Sequence, residues 1–185
     1  ADFLSTTADR SKDESQKVEL SFLAAAVYTD DLQAPERAVR SYERVLSVEP
    51  ANVQAAKLLL PLYEEEEKWS RLPGLYAILL EVTEDLDDKI ATLHKIADVM
   101  GGPLANKGAA LSHARQAYEL KPDEEGLDHL RAWSQKSGDW SAFVDVVRKQ
   151  LDASASDEGA DDSIHPDRRR ELELMLANVY ANEVD

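Results

Sequence analysis

Side chains capable of catalysis or metal binding are few in this sequence of 185 residues. It contains no cysteine, which excludes disulfides, thiolate metal sites and a cysteine nucleophile. Helices of the His-Glu-x-x-His type place two histidines four positions apart on one face, and no such pair is present. The four histidines are therefore interpreted as ordinary helix or loop residues: His94, His113, His129 and His165.

Two further segments have compositions close to those of ligand-binding loops. Residues 101–108 contain glycines and a lysine, but in the wrong order for a phosphate-binding loop, so they are interpreted as a turn between helices. Residues 157–162 are acidic, but they lack the ligand spacing and the closing glutamate of a calcium-binding loop. The sequence gives no support for an enzyme, and we predict no catalytic residue, no metal and no cofactor.

The charge balance is strongly acidic, with 37 Asp and Glu against 21 Lys and Arg and a formal net charge of −16. Nucleic acids and anionic membranes carry the same sign of charge, so neither is an expected partner. No apolar run approaches the roughly 20 residues of a membrane-spanning helix. No signal peptide is visible, and although the sequence leaves the compartment open, we favour the cytoplasm.

A repeating period runs through the chain. The segments 38–50 and 110–122 share a small residue, core residues and a closing proline in register, 72 positions apart. The 72-residue unit consists of two shorter repeats, because successive anchor positions along the chain are 35, 37 and 34 residues apart. Periods of this length are typical of stacked supersecondary units. The anchor positions are Tyr28, Tyr63, Met100 and Ser134.

Each repeat is predicted to contain two helices, because its apolar side chains recur at the i, i+3, i+4 and i+7 spacing of one helix face. Asn52 and Asp123 are suited to cap the starts of helices. Pro35 suits a first helical turn, and Gly138 marks a turn between helices. No convincing alternating strand pattern is present. The predicted fold class is all-α.

Bulky and irregular residues within these helices are expected to serve packing. Trp69 and Trp140 occupy equivalent positions of the 72-residue unit, and together with Trp133 they are interpreted as residues that pack one helix on the next. Pro61 falls inside a helix predicted over 52–63, where proline kinks a helix or costs on the order of 3 kcal/mol.

The repeats resemble the tetratricopeptide repeat, a unit of about 34 residues with the pattern W-x2-L-G-x2-Y, then A-x3-F, then P. The resemblance implies a right-handed α-solenoid of about ten helices in antiparallel pairs, and related helical-hairpin solenoids share this spacing. The best-matching segments are Ser21-x2-Ala24-Ala25-x2-Tyr28 with Ala38-x3-Tyr42 and Pro50, and Leu93-x2-Ile96-Ala97-x2-Met100 with Ala110-x3-Ala114 and Pro122.

In this interpretation residues 1–185 form a single array. Residues 1–10 look like a second helix whose first helix is absent, and the chain stops after a first helix, so we expect a segment of a longer array. Residues 152–165 are rich in acidic and small residues and are predicted to form a mobile acidic loop. The predicted divisions are a second helix over 1–16, repeats over 17–51, 52–86, 87–122 and 123–165, and a first helix over 166–185.

In the family that the sequence resembles, the first helix of each pair lines a concave groove that holds an extended peptide or a partner helix. A plain solvated helix face is an equally good explanation of the residues at these positions. Lys57 alone fits the subclass that clamps a terminal carboxylate, and Asp98 and Asp128 oppose it. The candidate groove residues are Glu19, Phe22, Ala26, Thr29, Gln54, Lys57, Glu64, His94, Asp98, Asp128 and Gln135.

These observations favour a non-enzymatic module that binds a protein segment on its concave face. An acidic surface attracts cationic partners, so a basic or mixed-charge peptide is the expected ligand. One alternative is an architectural spacer or self-assembling segment, with end-to-end association through residues 1–10 and 167–185. Another is a docking region of a multidomain regulatory protein.

Overall fold

The computed structural model describes residues 1–156 and 165–182, and within these ranges every regular element is helical and no strand occurs. The predicted all-α class is therefore confirmed. A π-helical turn, Val27–Asp31, follows the second helix, and a 3₁₀ turn, Trp69–Arg71, precedes the fifth. The ten helices of the described ranges are α1 Asp2–Arg10, α2 Glu14–Ala26, α3 Pro35–Val48, α4 Val53–Glu65, α5 Leu72–Val82, α6 Leu86–Gly101, α7 Lys107–Leu120, α8 Glu124–Ser137, α9 Ser141–Ser156 and α10 Pro166–Asn182.

The helix boundaries follow the local signals in the sequence. The side chain of Asn52 accepts a hydrogen bond from the Ala55 N–H, and that of Asp123 accepts one from the Gly126 N–H. Pro35 occupies the first turn of α3, and Gly138 ends α8 in the left-handed conformation with φ of 78°. The predicted caps and stops are thus confirmed at these four positions.

Two segments differ from the expected boundaries. The helix α4 continues through Pro61 and ends at Glu65. The helix α9 continues to Ser156, so residues 152–156 are helical and the prediction of a loop beginning at 152 was wrong there. Alanine at two of these five positions favours the continued helix. The predicted loop residues 157–164 lie outside the described part of the chain.

The chain divides into two compact units, Ala1–Thr92 and Leu93–Asp185, which are described separately below. Among the described helices, none combines the length and the apolar character that crossing a bilayer requires.

In the first unit, fully buried alanines occupy the places where helices approach one another. Ala24 and Ala25 of α2, Ala38 of α3, and Ala55 and Ala56 of α4 are inaccessible to solvent. A methyl side chain allows two helix backbones to lie close together, which larger residues would prevent. These alanines include the small-residue positions of the repeat pattern, so the pattern reflects a packing requirement.

Buried tyrosines of the first unit donate their hydroxyls to carboxylates on other helices. Tyr28 donates to Asp2 at 2.7 Å, and Tyr63 donates to Glu43 at 2.7 Å. Burial raises the pKa of Tyr63, and the bond to Glu43 raises it further. A second polar tie is made by Arg44, which contacts Asp9 at 2.7 Å. These contacts satisfy polar groups that burial would otherwise leave without a partner.

The second unit is built around one apolar cluster contributed by α6 to α10. Phe143, Leu130 and Leu127 are almost completely buried, and Leu172 brings α10 against the same cluster. Trp133 and Trp140 belong to this cluster and are only 3% and 7% exposed. Both therefore serve as the packing residues that the sequence predicts. Trp69, in the first unit, is only partly buried and contributes less to packing than predicted.

Candidate functional site

The candidate groove residues of the first unit lie on its surface. They come from α2, the π-helical turn and α4, the helices predicted to be the first of their pairs. Phe22 is partly buried and meets the ring of Tyr42 edge-on, with 6.0 Å between ring centroids. The other six are exposed: Glu19, Ala26, Thr29, Gln54, Lys57 and Glu64.

Two of these residues also hold the fold together. The Tyr76 hydroxyl of α5 donates a hydrogen bond to Glu64 at 3.0 Å, and Thr29 donates to the Ala25 carbonyl at 3.0 Å. Burial, together with the Glu64 carboxylate, raises the pKa of Tyr76 to about 12. Glu64 is consequently tied to helix packing, and a partner would have to share it with Tyr76.

In the second unit, the structure brings His94 of α6 against His129 of α8. Their rings stack with centroids 4.0 Å apart and planes inclined by 24°. Asp98, one turn after His94, places a carboxylate oxygen 3.7 Å from His129 Nε2. His94 and Asp98 were both candidate groove residues, whereas His129 was not. The neighbouring candidates Asp128 and Gln135 of α8 are exposed.

His129 was missed because the carry-over of groove positions selected its neighbour Asp128. A signal was nevertheless present in the sequence, since His129 follows His94 by 35 residues, one more than the 34 residues between the anchors Met100 and Ser134. Equivalent positions of successive repeats lie on neighbouring helices and can therefore touch.

The stacked imidazoles are poorly arranged to share a metal ion. The nitrogen lone pairs lie in the ring planes, so rings that are nearly parallel and 4.0 Å apart direct them almost in parallel. Within the described residues, no group of three or more His, Asp and Glu side chains could hold a metal ion. The arrangement is suited instead to a proton-dependent contact between α6 and α8.

The charge of His129 is controlled by its surroundings. Burial lowers the pKa of His129 below its ordinary value, and the adjacent His94 lowers it further, while Asp98 acts in the opposite direction. His129 also meets the edge of the Trp133 ring, with 6.5 Å between centroids. The Lys136 ammonium lies over the Trp133 ring, 4.0 Å from its centroid.

A polar groove lies between α8 and α10 of the second unit. Its floor is apolar, formed by Trp140, Met175 and Val179, and its volume is about 250 Å³. Of its polar lining residues, only Gln135 was a candidate groove residue. The remaining polar lining residues are Arg131 of α8 and Asn178 and Asn182 of α10.

Asn178 could have been found from the sequence. Residues 177–180 repeat the Ala-x-Val-Tyr pattern of residues 25–28, and Asn178 precedes Tyr180 by two positions, as Ala26 precedes Tyr28 and Asp98 precedes Met100. The same equivalence that placed Ala26 and Asp98 on the groove therefore also selects Asn178. Arg131 carries no such signal, because it precedes the anchor Ser134 by three positions, where Ala25 precedes Tyr28 and Ala97 precedes Met100.

A larger cleft of about 540 Å³ lies between α7 and α9. Its charged lining residues neutralise one another, since Arg115 contacts Glu119 at 2.8 Å and Asp145 at 3.8 Å. The Tyr118 hydroxyl at this cleft is inaccessible to solvent. It cannot reach a ligand in the cleft without movement of the chain. The groove between α8 and α10 is accordingly the better candidate.

Comparisons with known proteins leave the chain without an assigned family. No protein-family model matches it, and a search of curated proteins finds no significantly similar sequence. The likeness to tetratricopeptide repeats therefore rests on the spacing and residue types of the sequence itself.

Proposed function

We propose that this chain is a non-enzymatic protein-interaction module, a tetratricopeptide-like right-handed solenoid whose first helices bind a segment of another protein. The observation that carries the proposal is the groove between α8 and α10. There, Gln135, Asn178 and Asn182 surround an apolar floor and Arg131 stands beside them. Both helices are predicted to be the first of their pairs, so the groove lies where the resemblance expects a partner.

The chemistry of this groove is suited to a peptide main chain. An extended peptide offers alternating N–H donors and C=O acceptors, and a primary amide side chain can both donate and accept. Three amides on two helices can therefore bind a peptide with little dependence on its sequence. The apolar floor formed by Trp140 and Met175 would receive an apolar side chain of the partner.

The charge of the module selects the class of partner. With a formal net charge of −16, the chain attracts cationic segments and accelerates their encounter. Asp98 and Asp128 add exposed negative charge to the predicted partner face, whereas Arg131 adds a positive one. A basic or mixed-charge segment, with an acidic or carbonyl group placed near Arg131, fits this distribution best.

Charge reversal on the predicted partner face should weaken binding of a basic peptide. We expect the double variant Asp98→Lys, Asp128→Lys to bind a fluorescein-labelled, lysine-rich dodecapeptide about 5–30-fold more weakly, because two attractive contacts become repulsive. Fluorescence anisotropy at low and physiological salt measures the change. The wild-type affinity should also fall as salt is added.

A matched variant separates local from overall charge. Glu36→Lys on α3 and Glu81→Lys on α5 change the net charge equally, but lie on exposed positions of predicted second helices. This control should retain most of the affinity. Equal loss in both double variants would contradict binding at the proposed face, as would failure of wild type to bind the lysine-rich peptide in preference to a glutamate-rich counterpart.

Self-assembly is a second candidate function, and exposed apolar side chains favour it. Phe3 on α1 is 80% exposed and Leu174 on α10 is 61% exposed, and both lie in the segments 1–10 and 167–185 named above. If these residues mediate association, sedimentation velocity should show a salt-insensitive oligomer at micromolar concentration. The double variant Phe3→Ser, Leu174→Ser should then sediment as a monomer, while a monomeric wild type would eliminate this candidate.

A further inference from the structure

The surroundings of the stacked rings of His94 and His129 are better suited to neutral imidazoles than to imidazolium ions. His94 Nε2 and His129 Nδ1 are both inaccessible to solvent, and neither has a hydrogen-bond partner in the described structure. A neutral imidazole can leave such a nitrogen as an unpaired acceptor, with its single N–H on the other nitrogen. Protonation instead makes both nitrogens donors, so it would create a buried N–H without an acceptor.

Protonation also places like charges against each other. The ring centroids are 4.0 Å apart, a separation too small to admit a water molecule that could screen two positive charges. The environment of His129 disfavours its imidazolium form. Its pKa is lowered first by burial and then by His94.

The other charged groups around His129 do not remove this effect. From α6, the Asp98 carboxylate at 3.7 Å favours the imidazolium, but it is 66% exposed and therefore well screened by water. On α8 itself, Lys136 disfavours the imidazolium. No charged group of α7 or α10 is among the influences on His129. The balance of these influences favours the neutral form of His129.

We propose that the stacked pair His94–His129 is an acid-sensitive contact that holds α6 against α8 at neutral pH and loosens as the pH falls below about 6.5. In its neutral state the pair packs as two flat rings, and His129 makes an edge-to-face contact with Trp133. In acid, the rings separate so that each buried nitrogen can reach water. Because His94 and Asp98 lie on the predicted partner face, loosening would also weaken partner binding, a consequence that rests on the proposed function.

The expected pH dependence of stability is set by the numbers of protons that the folded and unfolded chains bind. When the pKa of His129 is lower in the folded chain than in the unfolded chain, the unfolded chain binds more protons between the two values. The folded state is therefore favoured fully above the unfolded value near 6.5 and loses stability as the pH falls towards the folded value. The contact should therefore strengthen as the pH rises from about 5.5 to about 7.5.

The test compares wild type with His94→Phe, which keeps an aromatic ring in the stack but cannot be protonated. Thermal unfolding is measured from about pH 5.5 to pH 7.5. On acidification, the wild-type midpoint should fall by about 2–4 °C more than that of the variant. His165→Phe, at an exposed histidine outside the stack, serves as the matched control and should show the same acid loss as wild type.

A second measurement follows the titration of His129 directly and does not depend on a change in stability. The imidazole C–H resonances of His129, followed by NMR against pH, should titrate at a higher pH in His94→Phe than in wild type, since one opposing charge is gone. Identical titration of His129 in the two proteins, or an identical acid loss of thermal stability, would overturn the proposal. Both measurements use the chain without a partner, so they stand even if the lysine-rich peptide fails to bind.

Discussion

Replacing Gly101 by alanine should destabilise the second unit, although the same change ordinarily stabilises a helix. A Cβ atom built on Gly101 would overlap the six-membered ring of Trp133 and would lie 2.8 Å from the Cβ of Ala110. Neither neighbour can yield easily, because Trp133 is 3% exposed and Ala110 is completely buried. We expect the free energy of unfolding to fall by about 1–3 kcal/mol, the usual cost of overpacking a core.

The matched control for this prediction is Gly108→Ala. Gly108 lies in the first turn of α7, and a Cβ added there would meet no atom within 4 Å. The same chemical change should therefore stabilise by about 0.5–1 kcal/mol, since alanine loses less chain entropy than glycine on folding. Urea unfolding of the two variants should give changes of opposite sign. A Gly101→Ala protein as stable as wild type would contradict the close approach of α6 to Trp133.

A double variant identifies the cause of the destabilisation. Trp133→Phe removes ring atoms from the region that the new methyl group would enter. In that background Gly101→Ala should cost less than it does alone, with a coupling energy within the range of about 0.5–3 kcal/mol seen for contacting residues. Additive effects would mean that the cost of Gly101→Ala arises elsewhere, for example in the end of α6.

The helices of this fold can be predicted from the sequence, but the contacts between them cannot. The local signals sufficed for the helices: apolar spacing located them, and Asn52, Asp123 and Gly138 marked their ends correctly. Gly101 was recognised only as part of a turn, because its neighbour Trp133 is 32 positions away and belongs to another helix. A contact of that kind depends on how helices pack, and repeat spacing alone does not determine it.

In the candidate site as well, surface positions could be predicted from the sequence, whereas the contacts between helices could not. Successive residues of a helix are rotated by about 100°, so an error of one position moves a side chain from a contact to the solvent. That is why Asp128 was selected in place of His129, although the period itself was correct. Glu64 was placed on the surface correctly, but its bond to Tyr76 depends on α5, whose orientation the sequence does not reveal.

Among the tryptophans, the largest loss of stability should follow replacement of Trp133 by alanine. The sequence predicts a packing role for all three tryptophans, because Trp69 and Trp140 recur at equivalent positions. The structure buries Trp133 and Trp140 almost completely but leaves Trp69 only partly buried. We therefore expect about 3–5 kcal/mol for Trp133→Ala, whereas Trp69→Ala should cost clearly less.

Urea unfolding of the three single variants Trp69→Ala, Trp133→Ala and Trp140→Ala tests this order. If Trp133→Ala does not fold, Trp133→Phe should still cost more than Trp69→Phe, because a partly exposed ring leaves a smaller cavity when it shrinks. Equal costs at positions 69 and 133 would contradict the conclusion that burial determines the cost of replacing a tryptophan in this chain. The predicted order instead requires Trp133 to pack α8 against α6, since its ring occupies the space beside Gly101.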